Sequence, residues 1–235
     1  MEPVPEVVTL HVWRVPRRAV PAAVARMALD RRHLASTPGL RFAKGLGTGD
    51  GRTFTVRDAD PTRWALLCTW TDAGSARRFC AGSPVVAAWG RIATETCRLD
   101  LEPLAAHGSW SGRTPFGRPC PRRTGPTQPV VALTRARLVP ARARGFWRAV
   151  PPVSADLQGA PGLRAAIGVG EAPVGLQGTV SVWESAAALK RFAYDGEPHA
   201  AVVARTRSEG WYAEELFARF AVRSVTGTLD GVSPL

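Results

Sequence analysis

The sequence predicts an α+β fold in which two tandem ferredoxin-like units form one pseudo-dimeric α+β barrel. The first observation is a repeat: Pro38-Gly39-Leu40-Arg41 recurs 123 residues later as Pro161-Gly162-Leu163-Arg164. The second is that Trp70 recurs as Trp183 at a separation of 113, so the first copy carries extra residues, placed at 50–61. The third is that each copy has the pattern of strand, helix, two strands, helix and strand. Two such sheets can pair and close edges that would otherwise be exposed.

Each element is predicted from its local pattern. First strands are indicated at residues 7–15 and 129–139 by β-branched, alternating residues, with Val15-Pro16 aligned to Val139-Pro140 at a separation of 124. A helix at 21–34 begins with a proline, and its counterpart at 141–150 is shorter. The remaining predictions are second strands at 40–45 and 163–168, third strands that end at Trp70 and Trp183, helical segments, and last strands at 96–103 and 218–229.

These elements divide the chain into a first unit at residues 1–109, a linker at 110–128 and a second unit at 129–235. The linker is rich in glycine, proline and arginine, as connecting segments often are. With 235 residues, 45% of them hydrophobic, the chain can bury a core and is not of the disordered class. It shows no apolar run long enough to span a membrane and no signal-peptide pattern. We therefore expect a cytoplasmic protein, with peripheral membrane contact left open.

The charge is strongly positive, with 31 basic and 19 acidic residues and a formal net charge of +12. Such a charge can attract nucleic acid, anionic lipid or an acidic ligand. The arginines are spread through every segment and form no stripe, whereas nucleic-acid-binding proteins concentrate charge on one face. Together with abundant alanine, glycine and proline, this distribution favours the codon bias of a GC-rich genome over a nucleic-acid partner.

The four cysteines, Cys68, Cys80, Cys97 and Cys120, include no CxxC pair and no zinc-binding spacing. In a reducing compartment they are expected to be small buried side chains. Cys120 lies between two prolines in a loop, where a Cys-Pro pair can offer a thiolate to a metal.

Three of the four histidines carry little signal for a metal site. His33 is predicted on the solvated side of its helix, and His107 lies in a loop with no evident partner. His11 shares a strand face with Thr9 and Trp13. That face could line a cavity, but a hydrogen-bonded structural histidine is the favoured interpretation.

His199 is the strongest candidate ligand. The acidic residues and Pro198 before it are typical of a helix start, where the helix dipole disfavours imidazolium and leaves the ring able to bind a metal. At about 100° per residue, one side of this helix carries His199, Val202, Val203, Thr206 and Gly210. The ring therefore faces an apolar wall whose small residues could admit a flat ligand. The aligned residue of the first copy is Val85, as expected for a single ligand site in a duplicated scaffold. A satisfied core histidine is the alternative.

Several motifs resemble the spheroidene monooxygenase family. They are Leu40-Arg41-Phe42-Ala43-Lys44 with Gly45-x-Gly47, the run 175–179, the block Arg191-Phe192-Ala193-Tyr194-x-Gly196-x-Pro198-His199, and Gly210-Trp211-Tyr212-x-Glu214-Glu215-Leu216-Phe217-Ala218-Arg219-Phe220. The resemblance implies a haem-containing oxygenase that converts an apolar, carotenoid-like substrate to a hydroxyl and then a ketone. It implies O2, an external electron donor such as a ferredoxin, and haem b in the second unit with His199 as the axial iron ligand. Val203 and Thr206, on the same side of that helix, would contact the cofactor.

Further pocket groups are expected on the strands of the second unit. Arg135 and Arg137 share a strand face, Arg164 is expected near them from the repeat, and Gln177 begins the next strand. One of them could bind a haem propionate or polarise oxygen above the iron, and solvation at the surface is an equal alternative for each.

Two other motifs are assigned no chemistry. The glycine-rich run 45–51 lacks the Gly-Lys-Ser/Thr ending of a phosphate-binding loop. Glu214 and Glu215 are predicted in a short amphipathic turn in which Trp211 and Phe217 pack inward.

Two other function classes stay open. One is a cofactor-free or peroxide-using oxidoreductase on the same barrel, which would lack the absorption of haem. The other is a basic binding or accessory protein whose partner is nucleic acid or an anionic membrane. Such a protein would lose binding steeply as salt is added.

Overall fold

The computed structural model describes residues 2–50, 58–119, 124–171, 176–195 and 209–235. The first unit contains β1 (Val7–Arg14), α1 (Val20–Ala35), β2 (Leu40–Gly49), β3 (Ala59–Trp70), α2 (Ala73–Gly82), α3 (Pro84–Ile92) and β4 (Glu95–Gly108). The second contains β5 (Val130–Leu138), α4 (Ala143–Gln158), β6 (Leu163–Gly170), β7 (Leu176–Trp183), α5 (Ala186–Asp195) and β8 (Tyr212–Gly227).

The eight strands form one closed antiparallel barrel in the order β1-β3-β2-β6-β7-β5-β8-β4. Within each unit the order is that of a ferredoxin-like sheet, β4-β1-β3-β2 and β8-β5-β7-β6. The units join at two seams, where β2 pairs with β6 and β4 pairs with β8 over a long ladder. The pseudo-dimeric α+β barrel predicted from the repeat is confirmed.

One part of the predicted alignment is wrong by one residue. The first residues of β1 and β5 lie opposite Trp70 and Trp183, the last residues of β3 and β7, so the first strands are equivalent at a separation of 123 and not 124. Because side chains alternate along a strand, an error of one residue assigns every side chain to the opposite face. The counterpart of Arg135 is therefore Val12 and not His11.

Apolar side chains from both units fill the barrel. Every second residue of a strand points inward, as Leu10 does in β1 and Leu133 in β5. Trp110 and Phe116, from the start of the predicted linker, are also fully buried in this core. The first part of that connecting segment therefore packs against both units.

Helix α1 matches its prediction closely, but α4 does not. The structure has α4 continuing through Pro151 and Pro152 to Gln158, so it has the same 16 residues as α1 and is not the shorter helix expected. Within the described ranges, none of the helices combines the length and the apolar character needed to cross a lipid bilayer.

Strand β8 begins earlier than predicted. Glu214 and Glu215 lie in this strand and not in a turn, because the strand pairs with β5 and β4 on its two sides. Trp211 is buried as expected, but Phe217 lies on the outer face and is 40% exposed, so its predicted inward packing is wrong.

A tight turn follows the last strand of each unit. We call residues 108–113 the first barrel-end turn and residues 227–232 the second. Ser111 and Asp230 occupy equivalent positions in them and both have positive φ, at 54° and 56°. Trp110 and Leu229, also equivalent, extend from the turns into the barrel core. The two turns therefore close the two ends of the barrel.

Candidate functional site

Helices α2 and α3 cover the outer face of the first unit's sheet with one continuous apolar cluster. The ring of Trp13 stacks on Trp89 at 4.9 Å and on His11 at 5.3 Å between centroids. His11 is 4% exposed, and its Nε2 lies 3.8 Å from the Sγ of Cys80. Burial, with the nearby charge of Arg98, lowers the pKa of His11 to about 3, so the ring is neutral at physiological pH. This agrees with the structural interpretation of His11.

The outer face of the second unit's sheet is packed differently. One end of this face is covered by an apolar cluster that includes Trp183 of β7 and Ala188 of α5. The other end is covered by a cluster that includes Phe146 of α4 and Trp211. Between them the outward side chains are mostly small or polar. We call this strip the second outer face, and it consists of Ala132, Thr134, Ala136, Ala166, Gly168, Thr179, Ser181, Glu215, Phe217 and Arg219.

Equivalent positions show how the two outer faces differ. His11 of the first unit corresponds to Thr134, and Trp13 corresponds to Ala136. Thr134 is exposed, whereas His11 is buried. The strip extends about 13 Å along β5 and about 14 Å across β6 to β8, from the rise per residue and the spacing between strands. At these positions of β5, the bulky side chains of the first copy are missing.

The segment that corresponds to α3 in the second unit is 196–208, which lies outside the described residues. Pro84, the first residue of α3, aligns with Pro198 in the sequence. His199, Val203 and Thr206 belong to this segment, and their predicted roles stay predictions.

The second outer face carries two charged residues of β8, Arg219 opposite Ala132 and Glu215 opposite Ala136. The neighbours of Arg219 in the adjacent strands are Ala105 and Ala132. The Nε of Arg219 is buried without a hydrogen-bond partner, and its side chain forms no ion pair within the part of the chain that the structure describes. The equivalent residue of the first unit is Asp100, which is paired with Arg98 at 3.2 Å. Sequence reasoning did not single out Arg219, and the signal that identifies it is this reversal of charge between equivalent positions.

Arg135 lies on the other side of the sheet, in the barrel interior, and is 4% exposed. Its guanidinium lies 5.5 Å from the centroid of the Trp110 ring and 3.0 Å from the carboxylate of Glu171, and it also pairs with Glu214. Two carboxylates neutralise this arginine, and the sheet separates it from the second outer face. It is therefore part of a buried ionic network and not a free pocket group.

The other predicted pocket groups are not brought together. Arg137 is on the same side of β5 as Arg135 but is exposed at the end of the strand. The expectation that Arg164 lies near these two is wrong. The start of β6 and the start of β5 both lie level with Trp183, which places Arg164 about 15 Å along the strands from Arg135. The backbone of Gln177 lies in β7, and its side chain is outside the described residues.

Glu214 binds the first barrel-end turn. Its carboxylate accepts hydrogen bonds from the N–H groups of Ser111 at 3.1 Å and Gly112 at 2.8 Å, and from the Ser109 hydroxyl at 3.0 Å. Burial alone would raise the pKa of Glu214, but these bonds and the Arg135 guanidinium lower it to about 2. The carboxylate is thus ionised at neutral pH, and both of its oxygens accept hydrogen bonds from the turn.

The second barrel-end turn is bound in the same way. Glu95, 119 residues before Glu214, accepts hydrogen bonds from the Thr228 hydroxyl at 2.8 Å and the Gly231 N–H at 2.7 Å. Each last strand therefore binds the turn that follows the last strand of the other unit. Sequence reasoning missed this feature, although Gly108 and Gly112 recur as Gly227 and Gly231 at the same separation.

The described cysteines, Cys68, Cys80 and Cys97, are free thiols, and two of them are fully buried. Burial raises the pKa of the Cys97 thiol to about 11. Cys120 lies outside the described residues.

Solved structures share this fold. An aldoxime dehydratase superposes with a TM-score of 0.64 at 14% identity, over 94% of this chain and 83% of that one. Another, in complex with butyraldoxime, gives a TM-score of 0.62 at 12% identity, over 92% of this chain and 79% of that one. No family model matches the sequence. The fold and the open second outer face together define a tandem-repeat α+β barrel protein with one candidate ligand site.

Sequence relatives give the family. Spheroidene monooxygenase of Rhodobacter capsulatus is 37% identical over 217 residues, which cover 92% of this chain and 90% of that protein. The protein of the same name from Rubrivivax gelatinosus is 39% identical over 195 residues, covering 83% and 73% of the two chains. That from Cereibacter sphaeroides is 33% identical over 213 residues, covering 90% and 65%. The chain belongs to the spheroidene monooxygenase family, and it is a monooxygenase.

Proposed function

We propose that this enzyme is a haem-dependent monooxygenase that oxidises an acyclic, carotenoid-like substrate. The substrate carbon would be converted first to a hydroxyl and then to a ketone. The family supports the substrate class, because the related proteins are named as monooxygenases of spheroidene. Haem and the site that holds it are the parts of the proposal that need a structural argument.

The second outer face is the main structural support for haem binding, because it lacks the bulky side chains of the first unit's outer face. Thr134 and Ala136 stand where the first unit has His11 and Trp13, so β5 carries much smaller side chains on this face than β1 does. The buried Nε of Arg219 lacks a partner on the same face. A surface of small side chains with an arginine at one end fits a macrocycle that carries anionic groups, and Glu215 at the other end of the strip favours binding with those groups towards Arg219.

The segment 196–208 would hold the iron. His199 lies at the predicted start of a helix, where the helix dipole favours a neutral imidazole, which would be able to bind the iron. Val203 and Thr206 are predicted on the same side of that helix and would contact the cofactor. When bound, haem would supply the activation of O2, with electrons from an external donor such as a ferredoxin.

The described residues would orient the reactants and exclude water. Ala132 and Ala136 give the strip an apolar floor, and the exposed ring of Phe217 extends it with a surface suited to an apolar chain. Thr134 and Thr179 lie opposite each other in adjacent strands. Their hydroxyls could donate hydrogen bonds to O2 at the centre of the strip.

The proposal is tested by the absorption spectrum of the purified protein beside that of His199→Ala. We expect the wild type to show a Soret band and the variant to lose most of its bound haem. The far-ultraviolet circular dichroism spectra of the two proteins should be the same, which would show that the variant is folded. His33→Ala is the matched control, because His33 is exposed on α1. A wild-type protein that binds no haem would contradict the proposed function. A His199→Ala variant with an unchanged spectrum would contradict the assignment of His199 as the iron ligand.

The substrate class is tested separately. Haem-loaded protein, a reducing system and O2 should convert an acyclic carotenoid into a hydroxylated and then a ketone product, which mass spectrometry distinguishes. A protein that retains haem but oxidises no such polyene would contradict the substrate assignment.

A further inference from the structure

Arg219 differs from the other arginines with a buried Nε in the described part of the chain. Arg63, Arg98 and Arg135 also have an Nε without a hydrogen bond, but each has a carboxylate partner. These pairs have N–O distances of 2.9, 3.2 and 3.0 Å. Arg219 is half-buried and forms no such pair among the described residues, so its guanidinium is available to an anion.

The position of Arg219 shows on which side of the sheet an anion could bind to it. Ala218 and Phe220 on either side of it point into the barrel core, so Arg219 points away from the core. In the adjacent strands it is flanked by Ala105 and Ala132, whose small side chains extend little beyond the sheet on that face. An anion that pairs with Arg219 would therefore approach from that face.

We propose that Arg219 binds a carboxylate of the haem. This inference rests on the proposed function, because it assumes that haem lies on the second outer face. The propionates are the anionic groups of haem, and a guanidinium binds a carboxylate through two parallel hydrogen bonds. Arg219 would hold one edge of the haem and His199 would hold its iron, so Arg219 is a positioning residue.

The experiment compares the binding of haem and of haem dimethyl ester, in which the carboxylates are esterified, to the full-length apoprotein. Binding is followed by the absorbance of the bound haem and by quenching of tryptophan fluorescence. We expect the wild type to bind haem about tenfold more tightly than the ester, and Arg219→Gln to bind both with the affinity of the ester. Arg219→Lys should restore part of the preference because it keeps the charge.

Arg223→Gln is the matched control. It removes an arginine from the same strand, but Arg223 is mostly exposed and paired with Glu102. This variant should keep the wild-type preference for haem. If Arg219→Gln weakens haem and its ester equally, or changes neither, the assignment of Arg219 is wrong although haem binding stands. If the wild type binds neither compound, the proposed function fails together with this inference.

Discussion

Arg135 illustrates how a single charged residue is accommodated inside a barrel. Its counterpart Val12 is apolar, so this charge is present on only one side of the pseudo-symmetric core. Glu171 and Glu214 neutralise it, and Trp110 packs on its flat surface. A buried charge is tolerated when it is paired and hydrogen-bonded in this way. The network ties the first barrel-end turn to the second unit.

Glu214→Gln should lower the free energy of unfolding by about 3 kcal/mol at neutral pH, because it leaves Arg135 buried with only one carboxylate. Denaturation with urea measures the change. Glu215→Gln, at the next position on the opposite face of β8, is the control and should change the stability by less than about 0.5 kcal/mol. Equal losses in both variants would show that the ionic network does not stabilise the fold.

The same carboxylate makes the stability depend on pH. Folding lowers the pKa of Glu214 from 4.5 to about 2, so its ionised form stabilises the folded state above pH 4.5. This contribution is lost as the pH falls from about 4.5 towards 2, where folded and unfolded states are both protonated. The difference in unfolding free energy between wild type and Glu214→Gln should therefore be constant near neutrality and shrink over that window. A difference that persists undiminished at the acid end would contradict this.

At the scale of elements, the barrel-end turns depend on glycine. Gly108 and Gly227 have φ of +92° and +84°, and a Cβ at either position would collide with a backbone carbonyl of a neighbouring strand. Replacement by alanine combines an unfavourable left-handed conformation with that collision.

Gly108→Ala and Gly227→Ala should each lower the melting temperature by about 5 °C or more, corresponding to more than about 1 kcal/mol. Thermal unfolding followed by circular dichroism measures this. Gly90→Ala is the control: Gly90 lies in α3 with no atom within 4 Å of the added Cβ, and alanine there favours the helix. It should leave the melting temperature unchanged or raise it. A tolerated substitution at both turns would show that they do not constrain the barrel ends.

The sequence predicted elements well where local signals and tertiary structure agree. The helix expected at 21–34 is Val20–Ala35, and both third strands end at the repeated tryptophan. The pattern failed for α4, because a helix ordinarily ends before a proline pair. It also failed for β8, whose first residues become a strand through pairing with β5 and β4.

The candidate site was harder to predict than the fold. Arg135 was chosen because it alternates along a strand, but only the register shows that this face is the barrel interior. Arg219 lies among many arginines, and nothing in its local sequence distinguishes it. Its importance depends on which residues oppose it across the sheet, and a single sequence does not give that information. The roles of His199, Val203 and Thr206 are still predictions.

At the scale of the whole molecule, the two units form one barrel and depend on each other. They share the core, and Glu95 and Glu214 each bind a turn of the other unit. A half-barrel on its own would expose its apolar inner face to water, so we infer that neither unit is stable alone.

Cleavage at a protease site inserted after Gly125, which is exposed in the connecting segment, should leave the two halves associated. We expect the cut protein to elute with the intact chain in size-exclusion chromatography and to separate only in denaturant. Two folded halves that elute independently would contradict the shared core.

The difference between the two outer faces also bears on protein engineering. The stacked indoles of the first unit's outer face stabilise the fold but leave no room for a ligand. The smaller side chains of the second outer face bury less apolar surface, so they contribute less to stability. Attempts to make a more durable catalyst should therefore begin with the N-terminal half. Under the proposed function, attempts to change the substrate should begin with the threonines and alanines of the second outer face.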